Sequence, residues 1–436
     1  MKILINSLNY KPELTGIGKY TGEMAEWLAD RGHNVRVITA PPYYPKWKIG
    51  KGYSARKFQR ERLEKVEIFR CPLWVPKNVK GSNRIIHLAS FALSSFFLLL
   101  TQIFWRPHVV LSVAPAFLSS PFTLIYSMFS NAKTWLHIQD FELDAALKLG
   151  IIRFSKFRKI IQCTERLILK KFDCISTISK QMIKNLRRKE VDKSKIFLFP
   201  NWVDTELIYP LTNSNPMRDE LGIQSDTIVA LYSGNMGQKQ GTEILVKVAK
   251  ILEPYSNIQF IFCGEGSALS RLKSMASALS NVIFLPLQPV EKLNYLLNLA
   301  DIHLLPQKAN AADLVMPSKL TGILASGKPV IATANPGTEI AQTVKNCGIV
   351  VPPDDAAAFS QALLRLANHP EERTKLGQNG KIFAKEYLSK EKILPQFERN
   401  LFALINDKKV KDRKAYRIKT KISYQPENQY STKHSI

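Results

Sequence analysis

With 436 residues, 45% of them hydrophobic and 22% charged, the chain is a folded globular protein too long for a single ordinary core. Its formal charge of +26 is unevenly spread: residues 1–203 hold 34 Lys/Arg against 14 Asp/Glu, residues 204–406 hold 19 of each, and the remainder holds 9 against 3. Five scattered cysteines, never spaced as CxxC, exclude a disulfide framework and a zinc ribbon and fit a reducing cytosol.

From its start the chain reads as alternating strands and helices. Residues 3–6 predict a strand, the loop 10–18 follows, a helix runs near 19–31, and residues 34–40 predict the next strand. Gly16 and Gly18, between the first strand and first helix, fit the doubly wound α/β pattern. The usual third glycine is missing, so this loop reads equally as a tight turn or as a contact for phosphate or acceptor. Met1 and Lys2 lead straight into the strand without the series of a signal peptide, so a cytoplasmic protein is expected.

Residues 66–70 predict a strand after a stretch of mixed charge. Residues 85–105 then carry no charge over 21 positions, a length that spans a bilayer. A crossing helix would put strands of one sheet on opposite membrane faces, which excludes spanning. His87, Ser90, Ser94 and Thr101 share one helical side, leaving a wide apolar face for a protein core or a lipid interface to cover.

Residues 109–113 and 134–138 predict buried strands, the second running into Gln139, Asp140, Phe141 and Glu142. Reacting groups of open α/β sheets sit just past such carboxyl ends. Asp140 is therefore a candidate to take a proton from an acceptor hydroxyl or to anchor it; an Asp at a helix start is the structural alternative. His137, inside the apolar run, is either a second catalytic candidate or a core residue. Residues 148–195 carry 15 Lys/Arg against 4 Asp/Glu in a helical pattern, a solvated face or a surface for an anionic partner.

The proline-flanked segment 210–216 predicts a hinge, and a second α/β pattern follows it. The strand 228–233 meets Gly234, Asn235, Gly237, Lys239 and Gly241; the strand 258–263 meets Gly264 and Gly266; the strand 282–285 ends at Leu285. After a strand over 302–306, Pro317-Ser318-Lys319 opens a short apolar helix over 320–325, with Ser318 as its expected N-cap, and residues 329–333 predict one more strand. Two glycine-rich strand ends beside a Ser-Lys helix start make a cradle for phosphate. From Lys408 onward the composition predicts a basic, disordered tail.

With YKPELTGIGKYT, HIQDFELDAALKLG, PNWVDTELIYP, YSGNMGQKQG, FCGEGS and MPSKLTGILASGKPVIAT in this order, residues 1–405 resemble the family 4 retaining glycosyltransferases, most of all the type that builds colanic acid and related exopolysaccharides. The resemblance implies the α/β GT-B fold, two facing Rossmann-like domains with a cleft between them. The expected division is an acceptor domain over 1–205, a nucleotide-sugar domain over 206–385, a helix over 386–406 crossing back to the first domain, and the tail 407–436. The resemblance implies that Gly16 and Gly18 line the cleft near the sugar and acceptor. It implies that Gly234, Asn235, Gly237, Lys239, Ser318 and Lys319 hold the donor diphosphate, with Gly264, Gly266 and Leu285 beside the nucleotide. The sequence departs from the family where Asn235 and Gln240 replace Arg and Lys, with Lys239 one place away, and where Leu314 and Gly322 replace two glutamates. A divergent donor site, a partner-dependent enzyme and an inactive copy are all compatible with these departures.

Moving a sugar from a nucleoside diphosphate leaves negative charge on the departing phosphate, which preorganised donors must stabilise. Lys239, Lys319 and the N–H groups of Gly237 and Ser318 are the candidates. The chain has no DxD, so neither a metal nor another cofactor is expected. Expected partners are a UDP or GDP sugar, a lipid-linked saccharide acceptor and the anionic inner face of the cytoplasmic membrane, with no specific nucleic acid. Another GT-B activity, such as sugar-nucleotide epimerisation, and a polyanion-binding protein read from charge alone are the alternatives.

Overall fold

The computed structural model of the chain describes residues 1–13, 16–77, 81–115, 117–144, 155–237, 240–308 and 317–406. Its first sheet is built from β1 (Lys2–Ser7), β2 (Asn34–Thr39), β3 (Gln59–Leu63), β4 (Val66–Arg70), β5 (Val109–Ala114), β6 (Lys133–Ile138), β7 (Cys174–Thr177) and β8 (Ile196–Leu198). Its second is built from β9 (Ile228–Ser233), β10 (Ile258–Cys263), β11 (Val282–Leu285), β12 (Ile302–Leu305), β13 (Val330–Thr333) and β14 (Gly348–Val351). The spatial orders are β3-β4-β2-β1-β5-β6-β7-β8 and β11-β10-β9-β12-β13-β14, every pair parallel except β3 with β4. Parallel strands are covered on both faces, so they read as unbroken apolar runs; β1 is buried from Ile3 to Ser7. In each sheet the strand order reverses beside the central strand, between β1 and β5 and between β9 and β12. Ligand crevices of open α/β sheets form at such points.

The helix α1 (Gly16–Asp30) covers one face of the first sheet through Tyr20, Met24 and Leu28. The helices α2 (Ser82–Thr101) and α3 (Ser120–Ser130) pack against one another, with the Phe96 and Phe122 rings 4.8 Å apart. α2 turns its polar side inward. His87 donates from Nδ1 to the Trp74 carbonyl at 2.7 Å, Ser94 donates to the Pro72 carbonyl at 2.7 Å, and Ser90 accepts from the Trp74 amide at 3.1 Å. Ile86, Leu93 and Phe97 are left exposed on the other side. Under half of this apolar helix is buried, so it is not the wholly buried core helix that one reading of the sequence predicts.

The chain crosses between the sheets twice, side by side. Phe199 and Trp202 belong to the first core, whereas Val203 and Ile208 belong to the second. The chain returns at Ser389, where Val203 donates to the Leu388 carbonyl at 2.8 Å and Lys390 donates to the Val203 carbonyl at 2.9 Å. The proline-flanked segment expected to be the hinge is fastened to the second domain. Asn298 accepts from the Leu211 amide at 2.9 Å and donates to the Tyr209 carbonyl at 2.9 Å, so the crossing lies earlier, at Trp202 and Val203.

The helix Lys390–Ile405 completes the first core, not the second. Phe397 stacks on Phe199 with ring centroids 4.2 Å apart and meets Trp135 edge-on at 5.0 Å. Next to these rings, Glu398 accepts from Arg31 at 3.0 Å and pairs with His33 at 2.8 Å. Burial pushes the Glu398 carboxyl up, but the bonds from Arg31 and His33 outweigh it and leave the group below its ordinary value. Glu398→Gln is expected to lower unfolding free energy by about 1–3 kcal/mol, measured by denaturant titration at neutral pH. A depressed carboxyl stabilises above its unfolded-state value and loses that contribution as pH falls through the folded-state value. The gap between wild type and variant should therefore close in acid.

Candidate active site

The second domain contributes two interlocked glycine turns. Gly234, Gly264 and Gly266 have φ of 131°, 138° and 152°, a region that side chains rarely adopt. A Cβ on Gly264 would overlap the Gly234 carbonyl, and one on Gly266 would overlap the Met236 carbonyl. Cross-bonds hold the turns together: Gly234 donates to the Cys263 carbonyl at 2.9 Å, Met236 to Glu265 at 2.8 Å, and Gly264 to Leu285 at 3.1 Å. Gly234, Gly264, Gly266 and Leu285 thus come together as expected from their strand ends, while Gly237 lies under the Gln240 side chain.

Lys319 reaches into this turn from the first turn of the helix Lys319–Ala325. Its Nζ donates to the Tyr232 hydroxyl at 2.9 Å and lies 4.1 Å from the centre of that ring. Tyr232 in turn donates to the Asn235 carbonyl at 2.6 Å. A Cβ on Gly234 would come within 3.2 Å of the amine, and the φ of 131° at that position favours glycine in any case. Burial pulls the amine down to about 7, and among the described residues no carboxylate pairs with it. A desolvated cation beside backbone amides is primed for an anion.

Ser318 does not act as the expected N-cap. Its backbone is already helical (φ −59°, ψ −26°) and its side chain makes no capping bond. Its carbonyl accepts from Thr321 at 2.9 Å and from Tyr20 of α1 at 3.4 Å, which makes it a contact between domains. A Cβ on Gly322 would lie 3.2 Å from the Leu297 side chain. Lys239 and Leu314 lie outside the described residues.

Across the cleft lies the start of α1, so Gly16 and Gly18 open the helix and do not form a loop before it. Gly16 has φ +61°, and a Cβ on Gly18 would meet Glu13 at 2.8 Å. Glu13 is buried and accepts from the amides of Tyr43 and Tyr44 at 3.0 Å each and from Asn9 at 2.9 Å. Burial raises its carboxyl above the ordinary value despite these bonds. It fixes the two tyrosines, and the Asn235 amide reaches the Tyr44 hydroxyl at 3.5 Å across the cleft. Sequence reasoning passed over Glu13, although a glutamate beside Gly16 and Gly18 is an available signal.

Past β6, Asp140 is half-buried and the neighbouring Glu142 accepts from the Phe117 amide at 3.2 Å. Burial pushes the Glu142 carboxyl up to about 8, with Arg84 opposing and Asp140 adding to the shift. Glu142 was legible as part of the strand end but not as a site residue. His137 belongs to the core. It is buried, its Nδ1 is 2.9 Å from Ser176 Oγ, its ring lies 4.9 Å from Phe199, and burial lowers it to about 3. A neutral imidazole enclosed on β6 is not poised for proton transfer. A mostly apolar cavity of about 470 Å³ lies at the crossings, lined by Trp135, Phe199, Ser318, Thr321 and Phe397, and Gly234, Gly264 and Gly266 do not line it.

Two facing Rossmann-like domains, with a half-buried lysine over interlocked glycine turns, make up the GT-B architecture. The family description "Glycosyl transferase 4-like domain" matches residues 15–202 and "Glycosyl transferases group 1" matches residues 213–383. The chain belongs to this glycosyltransferase family. It is 41% identical over 407 residues to the putative colanic acid biosynthesis glycosyl transferase WcaI of Escherichia coli K12, covering 91% of this chain and 98% of that one. Among solved structures it resembles the sucrose-phosphate synthase of Thermosynechococcus elongatus, with TM-score 0.72, 19% identity and coverage of 92% and 99%. It also resembles Anabaena HepE, solved with UDP and glucose, with TM-score 0.68, 15% identity and coverage of 92% and 100%.

Lys319 carries a pH signature. Its amine titrates at about 7 in the free protein, and a bound diphosphate would raise that value, so binding takes up a proton. Affinity for UDP or GDP should fall as pH rises above that point, by up to about tenfold per unit. Calorimetry in buffers of different ionisation enthalpy measures the uptake, which Lys319→Met should abolish. Lys319→Ala should also slow turnover by about 10²-fold or more.

Proposed function

We propose that this enzyme moves a sugar from a nucleoside diphosphate sugar to a saccharide carried on a lipid diphosphate, with retention at the anomeric carbon. The acceptor is presented at the cytoplasmic face of the membrane, in assembly of an exopolysaccharide of the colanic acid type. The observation that carries this reading is the Lys319 amine, desolvated over Gly234 with a hydroxyl as its partner. As the sugar–phosphate bond breaks, charge accumulates on the phosphate oxygen, and this amine stabilises it without reorganising. The kinship with WcaI and the nucleotide in HepE support the donor class. No metal is needed in this scheme, because the lysine and backbone amides supply the positive charge.

On the acceptor side, Asp140 takes or anchors the proton of the attacking hydroxyl. Glu142, with its carboxyl raised to about 8, is protonated at neutral pH and donates a hydrogen bond there. The family relationship leaves no support for nucleic acid as the partner of the positive charge.

Thermal shifts with UDP, GDP and their sugars, followed by transfer to a polyprenyl-diphosphate saccharide, test the proposal. One nucleotide should raise the melting point by mass action, transfer should survive EDTA, and the product should keep the donor's anomeric configuration by NMR. Asp140→Asn should slow transfer by about 10²-fold or more while leaving nucleotide affinity unchanged. Inversion of configuration, or full loss with EDTA restored by Mg²⁺, would contradict the reading.

A further inference from the structure

We infer that α2, the turn after it and α3 form a face that inserts into the surface of an anionic lipid bilayer and lays the acceptor side of the cleft against it. The inference rests on the proposed membrane-borne acceptor for its purpose, but not for its geometry. From Ile85 to Ala132 the chain carries a single formal charge, Arg106. Large apolar side chains stand exposed along it: Phe104 is 93% exposed, Met128 81%, Phe129 67% and Phe97 62%. These residues sit on elements packed together, α2 against α3 and α3 against the turn Ile103–Trp105. A monomer in water rarely leaves so many large apolar groups contiguous.

The orientation of α2 rules out an accident of packing. His87, Ser90 and Ser94 are spent inward on the backbone at Pro72 and Trp74 beside the buried Leu88, Phe91 and Leu99, while Ile86, Leu93 and Phe97 face out. That is the reverse of a helix meant for water. The occupant follows from charge. Arg106 is exposed beside Phe104, and the helix Ser155–Lys171, which packs on α3, exposes Arg158 and Lys159. Cations flanking an apolar strip match an anionic headgroup layer over acyl chains. A second copy fits poorly, because residues 1–203 carry a net charge of +20 and pairing would oppose two such domains. Lys189, within the basic run at 148–195, is not part of the surface charge: it is held by Asp144 at 2.8 Å and Glu165 at 2.5 Å.

The direction of α2 gives the face its use. Arg84, near its start, acts on Glu142 at the cleft, and the turn after its far end meets Lys2 at the amino end of the central strand β1, where Lys2 donates to the Trp105 carbonyl at 3.0 Å. Twenty residues of helix span about 30 Å, so a bilayer lying along α2 reaches the rim that carries Asp140 and Glu142.

Flotation of the full chain with vesicles of phosphatidylglycerol and phosphatidylcholine tests this. Wild type should float, and a share should persist at about 0.5 M NaCl, where screening confines electrostatics to a few Å. Phe104→Glu, Met128→Glu and Phe129→Glu combined should cut flotation by about tenfold or more. These exposed changes leave the core untouched, which circular dichroism and an unchanged nucleotide thermal shift verify. Three outcomes would overturn the inference. The variant could float as wild type does, it could convert a dimer to a monomer by light scattering, or wild type could bind native membranes but no pure lipid. Transfer to a detergent-solubilised acceptor reads the proposed activity separately, so failure of one does not decide the other.

Discussion

An amine drawn out of water, with no carboxylate to answer it among the described residues, is the interaction on which the donor half of this molecule depends. Lys319 is kept in place by one tyrosine hydroxyl and one ring face, and it tolerates that position only because its pKa yields to burial. The surrounding backbone is shaped to the same end. Gly234 leaves room for the amine, Gly264 and Gly266 let the second turn close against the first, and amide-to-carbonyl bonds lock the two turns before any ligand arrives. Preorganisation of this kind matters because a site that must rearrange to meet the developing charge loses part of what it contributes.

The other half of the site is positioned by a different device. Glu13, buried beside Gly18, ties the segment before α1 to the amides of Tyr43 and Tyr44, and Tyr44 and Tyr20 touch the second domain at Asn235 and Ser318. These cross-cleft contacts are long, at 3.5 and 3.4 Å, whereas the paired crossings at Val203 and Ser389 are short and backbone-to-backbone. The domains also meet where Glu339 accepts from the Lys180 and Gln181 amides at 3.0 and 2.9 Å.

Much of this was legible from residue order alone. Apolar runs marked β1, β9, β10 and β13, and the glycines that end β9 and β10 converge. Elements defined by neighbours were not. β3 (QRERL) is an exposed edge strand that exists because β4 pairs with it, and β7 is four residues inside a basic stretch that reads as helix. Ser318 had the right type for a cap, yet its carbonyl, not its hydroxyl, found the partners. His137 and Asp140 stand three residues apart. Only the sheet decides that one faces Ser176 and Phe199 while the other lies past the strand end. Glu142 was invisible as a site residue because its partner at Phe117 lies distant in sequence, whereas the place of Glu13 beside Gly16 and Gly18 was an available signal.

The helix Lys390–Ile405 bears on how the protein is made. Phe397, Leu394 and Leu401 fill a gap in the first core beside Trp135 and Phe199, yet they leave the ribosome long after residue 203. At about 5–20 residues per second, the first domain waits roughly 10–40 s for the segment that closes it. Throughout that interval an aromatic cleft and the apolar strip of α2 and α3 stand open together on a nascent, strongly basic domain. The second domain, whose core draws on residues 203–388, is complete before the first. The half made first is thus the half finished last, and it is the one that a chaperone or a nearby membrane surface would meet unfinished.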